Sequence, residues 1–197
     1  MNYLAHVTLA EPTDEARLGA LLGDFARGLQ VERLSETMRF ALEEHRAVDR
    51  WFDAHPLVRA ERERFPVSLR RYSGILLDVF ADHVLVRHWN TLEAQPLDDV
   101  TSSLYRSFDT HEDLLPPRLA QIAPRMARDD WLGSYGEARN VGRALAGISM
   151  RMRRDNPIAE GIHELERRGD EIEACVLTLW PEVRRWTRER RARSGRG

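Results

Sequence analysis

Lysine is absent from this chain: all 30 basic residues are arginine. That usage is the signature of a GC-rich genome and assigns no function. Cysteine occurs once, at Cys175, which excludes an internal disulfide and fits a reducing compartment. The thiol sits in the apolar run 174–179 and reads as a packed small hydrophobe rather than a nucleophile. No apolar run approaches the roughly 20 residues of a membrane span. Residues 1–10 have neither the basic start nor the long apolar stretch of a signal peptide, so a cytoplasmic protein with no membrane partner is expected. A formal net charge of -2 supplies no global field for nucleic acid. Also missing are a phosphate-cradling Gly-rich loop, a dinucleotide fingerprint, a His-Glu-x-x-His helix and a Gly-x-Ser-x-Gly elbow. No stretch alternates with period two for long enough to make a strand.

What is present is helical periodicity. Hydrophobic residues make up 42% of the 197 positions and charged residues 31%, ordinary values for a globular chain large enough to bury a core. Over 31–55 the apolar positions Leu34, Met38, Ala41, Leu42, Val48, Trp51 and Phe52 recur three and four apart. Further helices are predicted over 69–89, 97–115, 119–135, 137–152 and 158–188, with a short one ending at Gly28 and another between Pro56 and Pro66. The expected class is all-α, a single compact multi-helix domain over 1–187. The basic stretch 188–197 is expected to be a disordered tail.

Charge inside apolar segments marks the candidate chemistry. The segment 74–86 is apolar nearly all round, as a buried central helix would be, yet carries Asp78, Asp82 and His83. Asp78 and Asp82 are four apart and share a face, where two desolvated carboxylates repel unless a cation or donors compensate. A divalent metal would satisfy both, and so would a pair of Arg–Asp salt bridges. His45 and Asp49 repeat the four-residue spacing on a second helix, and imidazole with carboxylate suits Mn, Fe, Co or Zn. The two helices together tilt the reading towards a metal. Asp24, between Gly23 and Gly28, is a lone charge in an apolar segment. Its glycines either let backbone approach a ligand or simply end a helix. His6 is a lone histidine among apolar residues, a core residue or a functional one.

Met1-Asn2-Tyr3-Leu4-Ala5-His6, Gly23-Asp24-Phe25 through Gly28, His45-Arg46-x-x-Asp49 and Leu77-Asp78-x-x-x-Asp82-His83 through Trp89 together resemble the acyl carrier protein phosphodiesterase family. The resemblance implies an all-helical, divergent relative of the HD-domain phosphohydrolases, dependent on a divalent metal with Mn2+ favoured. This chain has Asp82-His83 where that superfamily has His-Asp, so ordinary HD ligand assignments do not transfer. The implied reaction removes 4′-phosphopantetheine from the serine of holo-acyl carrier protein. Asp24, His45, Asp78 and Asp82 are then the expected ligands, with Asp49 and His83 beside them, and Asp24, His83 and Arg46 the expected catalytic residues. Either Asp49 ligates or it orients His45, and His83 ligates or carries a proton. Arg27 and Arg46 are expected to hold the phosphate, as bidentate guanidiniums can, with His6 among the substrate contacts. A carrier protein is acidic, so a basic docking face is expected among Arg59, Arg62, Arg64, Arg70 and Arg71 or Arg151, Arg153 and Arg154. Two alternatives stay open: a metal phosphohydrolase acting on another phosphodiester or a nucleotide, and a non-catalytic carrier-protein-binding module. Nothing in the sequence gives an oligomeric state.

Overall fold

Ser35 shows how local chemistry sets the helix boundaries. Its hydroxyl accepts from the Met38 N–H at 3.2 Å, which caps a helix and starts it later than the apolar pattern suggests. The computed structural model describes residues 1–195, and every regular element among them is helical. In chain order the first are α1 Tyr3–Leu9, α2 Asp14–Leu22, α3 Glu36–Ala54 and α4 Pro56–Glu63. Next come α5 Val67–Arg70, α6 Ser73–Arg87, α7 Trp89–Leu92 and α8 Leu97–Thr110. The last three are α9 Pro117–Arg128, α10 Ala138–Arg151 and α11 Ile162–Arg193. The all-α expectation holds. No described helix is long and apolar enough to cross a membrane.

Several predicted helices break where a turn intervenes. The 31–55 prediction divides into a 3-10 turn at Val31–Arg33 and α3. The 97–115 helix stops at Thr110, because His111 leaves the helical region. The 119–135 helix ends at Arg128, where Asp130 takes a positive φ of 39. At the chain's end the difference runs the other way. The disordered tail expected from Arg188 is helical through Arg193, since arginine and alanine are good helix formers. Residues 196–197 of that predicted tail lie outside the described residues.

Two compact units are present, each built from separate stretches of chain. One comprises Met1–Asn2, Arg50–Arg87 and the chain from Tyr135 onward. Its centre is α6, against which α4, α10 and α11 all pack. Leu76, Phe80, Ala81 and Leu85 are inaccessible to solvent, and Ala81 and Val84 meet Val176 of α11. The other unit comprises Tyr3–Asp49 and His88–Ser134. There α1 and α8 pack on α2, and α9 on α8. At Gly19 the backbones of α2 and α3 touch: a Cβ there would lie 2.5 Å from the Met38 carbonyl oxygen.

Candidate metal centre

Within the unit holding α1 to α3, residues 43 places apart in sequence meet around one carboxylate. His6 stands on α1, while His45 and Asp49 stand one turn apart on α3. His6 Nε2 lies 3.0 Å from Asp49 Oδ1, and His45 Nε2 lies 3.3 Å from Asp49 Oδ2. The two imidazoles stack, with centroids 3.6 Å apart and planes inclined by 25°. Both histidines are buried and Asp49 is half-buried. Gly23 makes the room, since a Cβ on it would come within 2.3 Å of the His45 ring. The glycines beside Asp24 thus have a structural assignment: Gly23 lets backbone approach an imidazole.

Electrostatics keep two of the trio, His6 and Asp49, in ligand-ready forms. Burial pushes the His6 imidazole down to about 3; the hydrogen bond to Asp49 only partly opposes this, and His45 adds to it. Burial raises the Asp49 carboxyl, but hydrogen bonds from His45 and His6 outweigh it and hold the group well below the usual carboxylate range. His6 is therefore neutral and Asp49 ionised at pH 7, the forms that bind a cation. One donor atom from each residue lies within 4.8 Å of the others. His45 Nδ1 is buried and has no hydrogen-bond partner among the described residues. Two imidazole nitrogens and a carboxylate oxygen make a donor set that fits a first-row divalent ion.

The other expected residues occupy defined places. Asp24 is exposed in the 3-10 turn Gly23–Phe25, and Arg27 and Arg46 are exposed as well. In the unit centred on α6, Asp78 Oδ1 lies 3.1 Å from the Met1 amino nitrogen. Fully buried Asp82 accepts from the Asn2 side-chain amide at 2.8 Å. The sequence reading offered a metal or arginines as partners for these carboxylates, and the N-terminal residues supply a third answer. His83 donates through Nδ1 to the Tyr135 carbonyl at 2.7 Å, which fixes the tautomer and leaves Nε2 as a lone-pair nitrogen. Burial pushes its pKa down, against the raising effect of that bond. The fold brings His6 beside His45 and Asp49, where the sequence reading had placed it among the substrate contacts. No local signal links residue 6 to residues 45 and 49. Only the packing of α1 and α3 brings them together.

A histidine–carboxylate set of this kind can hold a divalent ion of the sort that polarises a phosphoryl oxygen or activates water. The comparison with known families gives the class. Residues 1–183 match the family described as acyl carrier protein phosphodiesterase, a family of phosphodiester-hydrolysing enzymes. Relatives carrying that name include one from Serratia proteamaculans, 34% identical over 184 residues, or 93% of this chain and 95% of the relative. One from Yersinia pestis is 32% identical over 186 residues, covering 94% and 96%. Another, from Escherichia coli O45:K1, is 30% identical over 184 residues, covering 93% and 95%. No solved structure matches the chain. The chain belongs to the acyl carrier protein phosphodiesterase family and is a phosphodiesterase.

Proposed function

We propose that this phosphodiesterase hydrolyses the phosphodiester joining 4′-phosphopantetheine to the serine of holo-acyl carrier protein, with a divalent metal, Mn2+ by preference. The observation that carries the metal reading is the trio His6, His45 and Asp49, with donor atoms within 4.8 Å of one another. The name of the family to which the chain belongs supports the substrate. A bound ion would neutralise a non-bridging phosphate oxygen and lower the pKa of water. Around it His6 and His45 would offer imidazole nitrogens and Asp49 a carboxylate. Asp24, one residue past Gly23, is proposed as a further ligand. Arg27 and Arg46, on the surface, would grip the phosphate through bidentate guanidinium bonds. The serine–phosphate P–O bond breaks and the serine oxygen must gain a proton. His83, its Nδ1 proton committed to Tyr135, is the proposed proton carrier through Nε2. Asp78 and Asp82 are proposed as ligands to be tested residue by residue, since both also hold the N-terminal residues.

The test uses the full chain with holo-acyl carrier protein and Mn2+, with and without chelator. Intact mass should show loss of phosphopantetheine only without chelator, and metal analysis should show an ion lost in His45→Ala. Equal turnover of a small aryl phosphodiester would shift the substrate reading to phosphodiesters at large. Carrier-protein binding with neither turnover nor bound metal would leave a structural histidine–carboxylate network and a non-catalytic module.

A further inference from the structure

The unit centred on α6 carries both stretches in which a basic docking face is expected, and the structure separates them. Around 59–71 the arginines have partners inside the chain. Arg62 pairs with Asp53 at 2.5 Å and Arg64 with Glu61 at 3.4 Å. Arg70 bonds the Phe65 carbonyl at 3.4 Å, and Arg71 lies over the Tyr72 ring. The stretch 138–154, which is α10 and the turn behind it, is different. It holds five arginines and no carboxylate, in a chain whose net charge is only -2. Glu137 and Asp155 stand just outside it. Arg139, Arg143 and Met150 recur at four and seven residues and so share one exposed face of α10. Among the described residues Arg139, Arg153 and Arg154 make no ion pair, and Arg143 bonds only the neutral Asn140 side chain, at 3.1 Å.

A second observation is apolar. Met150 is 81% exposed and Met152 40%, interleaved with the arginines at the end of α10. Val67 is as exposed beside the first cluster, but the arginines around it are already engaged. The Met-Arg turn is held in shape from behind. The Asn156 side-chain amide donates to the Ser149 carbonyl at 3.1 Å and the Arg154 carbonyl at 3.0 Å, and its oxygen accepts from the Ile158 N–H. Methionine and arginine are the residues that protein interfaces enrich, and like charges gathered on one face are relieved by an acidic partner. Resting on the carrier-protein reading above, we propose that this face of α10, with Met150–Arg154, docks the acidic surface of the carrier protein. Met150 and Met152 then cover an apolar side chain among its carboxylates. The reach is adequate. α10 starts three residues past Tyr135, whose carbonyl holds His83, and by Met150 it has risen about 18 Å. A domain of about 100 residues is roughly 30 Å across, so one carrier molecule spans that length.

Apo-acyl carrier protein, which has no phosphodiester to cleave, isolates docking from chemistry. Titrated calorimetrically into the full chain it should bind saturably, and more weakly as salt rises. Arg139→Glu/Arg143→Glu should weaken it about tenfold or more, and Met150→Ala should weaken it at every salt concentration. The same variants should raise KM for holo-acyl carrier protein with kcat unchanged, and leave turnover of a small aryl phosphodiester as in the parent. Arg59→Glu/Arg71→Glu, on the other stretch, should bind like the parent. The proposal is overturned if the α10 variants bind like the parent or lose no more than the Arg59/Arg71 variant. It is equally overturned if they lose binding to anionic lipid vesicles and keep that to carrier protein. Apo binding lost in the α10 variants, without turnover of the holo form by the parent, supports the docking face and removes the proposed reaction. Turnover with an unchanged KM in those variants does the reverse. A parent that neither binds nor cleaves carrier protein overturns both. Should charge reversal disturb α10, Arg153→Gln/Arg154→Gln in the exposed turn decides in its place.

Discussion

Gly23 is the residue on which the histidine trio depends most directly. An added methyl would overlap the His45 ring, so Gly23→Ala must turn that imidazole away or move the 3-10 turn. We expect metal content to fall at least tenfold, with a stability loss of about 1–3 kcal/mol typical of overpacking. Metal analysis beside urea denaturation separates the two effects. His6 carries a pH prediction. Its unfolded imidazole takes up a proton below about 6.5, whereas the folded one resists until about 3. The unfolded state thus binds more protons across that window, and stability rises with pH through it. The contribution is complete above 6.5 and is lost as pH falls towards 3. Urea midpoints measured from pH 7 to pH 4 should drop more steeply for the parent than for His6→Gln. Part of the histidine trio was legible in the sequence at its helical spacing, since His45 and Asp49 stand four apart on α3. What was not legible was tertiary. The meeting of His6 with α3 and the hold of Met1 and Asn2 on α6 have no local trace, because a lone histidine in an apolar segment looks the same wherever it packs.

Among the elements, α4 and α11 are joined by a buried charge pair. Arg168 bonds Glu61 where both side chains are almost fully buried, and Glu164 lies 4.0 Å from the same guanidinium. Arg168 itself departs from helical geometry (φ -133, ψ 27), so the pair sits at a kink in α11. Removing one partner strands the other charge. Arg168→Met should cost about 3–5 kcal/mol, and the double variant Glu61→Leu/Arg168→Met should recover much of it, as chemical denaturation would measure. A double variant no more stable than the single one would show that the kink needs the ions themselves. Periodicity located α3, α6, α8, α9, α10 and α11, because each buries a stripe or a whole surface. It misjudged their ends, which depend on single-residue events such as the Ser35 cap and the left-handed Asp130. The early short helix α1 escaped notice, since seven residues carry too few repeats to show a period.

On the scale of the whole chain, one thiol and one apolar helix set behaviour that no single contact does. Burial, with the Glu61 carboxylate adding to it, pushes the half-buried Cys175 thiol up to about 11. At pH 8 that leaves about a hundredfold less thiolate than an ordinary cysteine carries. Thiol labelling at pH 8 should therefore be slow in the native protein and accelerate through the denaturant midpoint, giving a single-site reading of unfolding. Fast labelling without denaturant would show that the α11 surface opens locally. The apolar α6 matters before folding as well. Along it, Ile75-Leu76-Leu77, Val79-Phe80-Ala81 and Val84-Leu85-Val86 are separated by Asp78 and by Asp82-His83. Each apolar triplet is shorter than the five to seven residues from which cross-β aggregates nucleate. The carboxylates that burden the folded core thus guard the newly made chain against self-association.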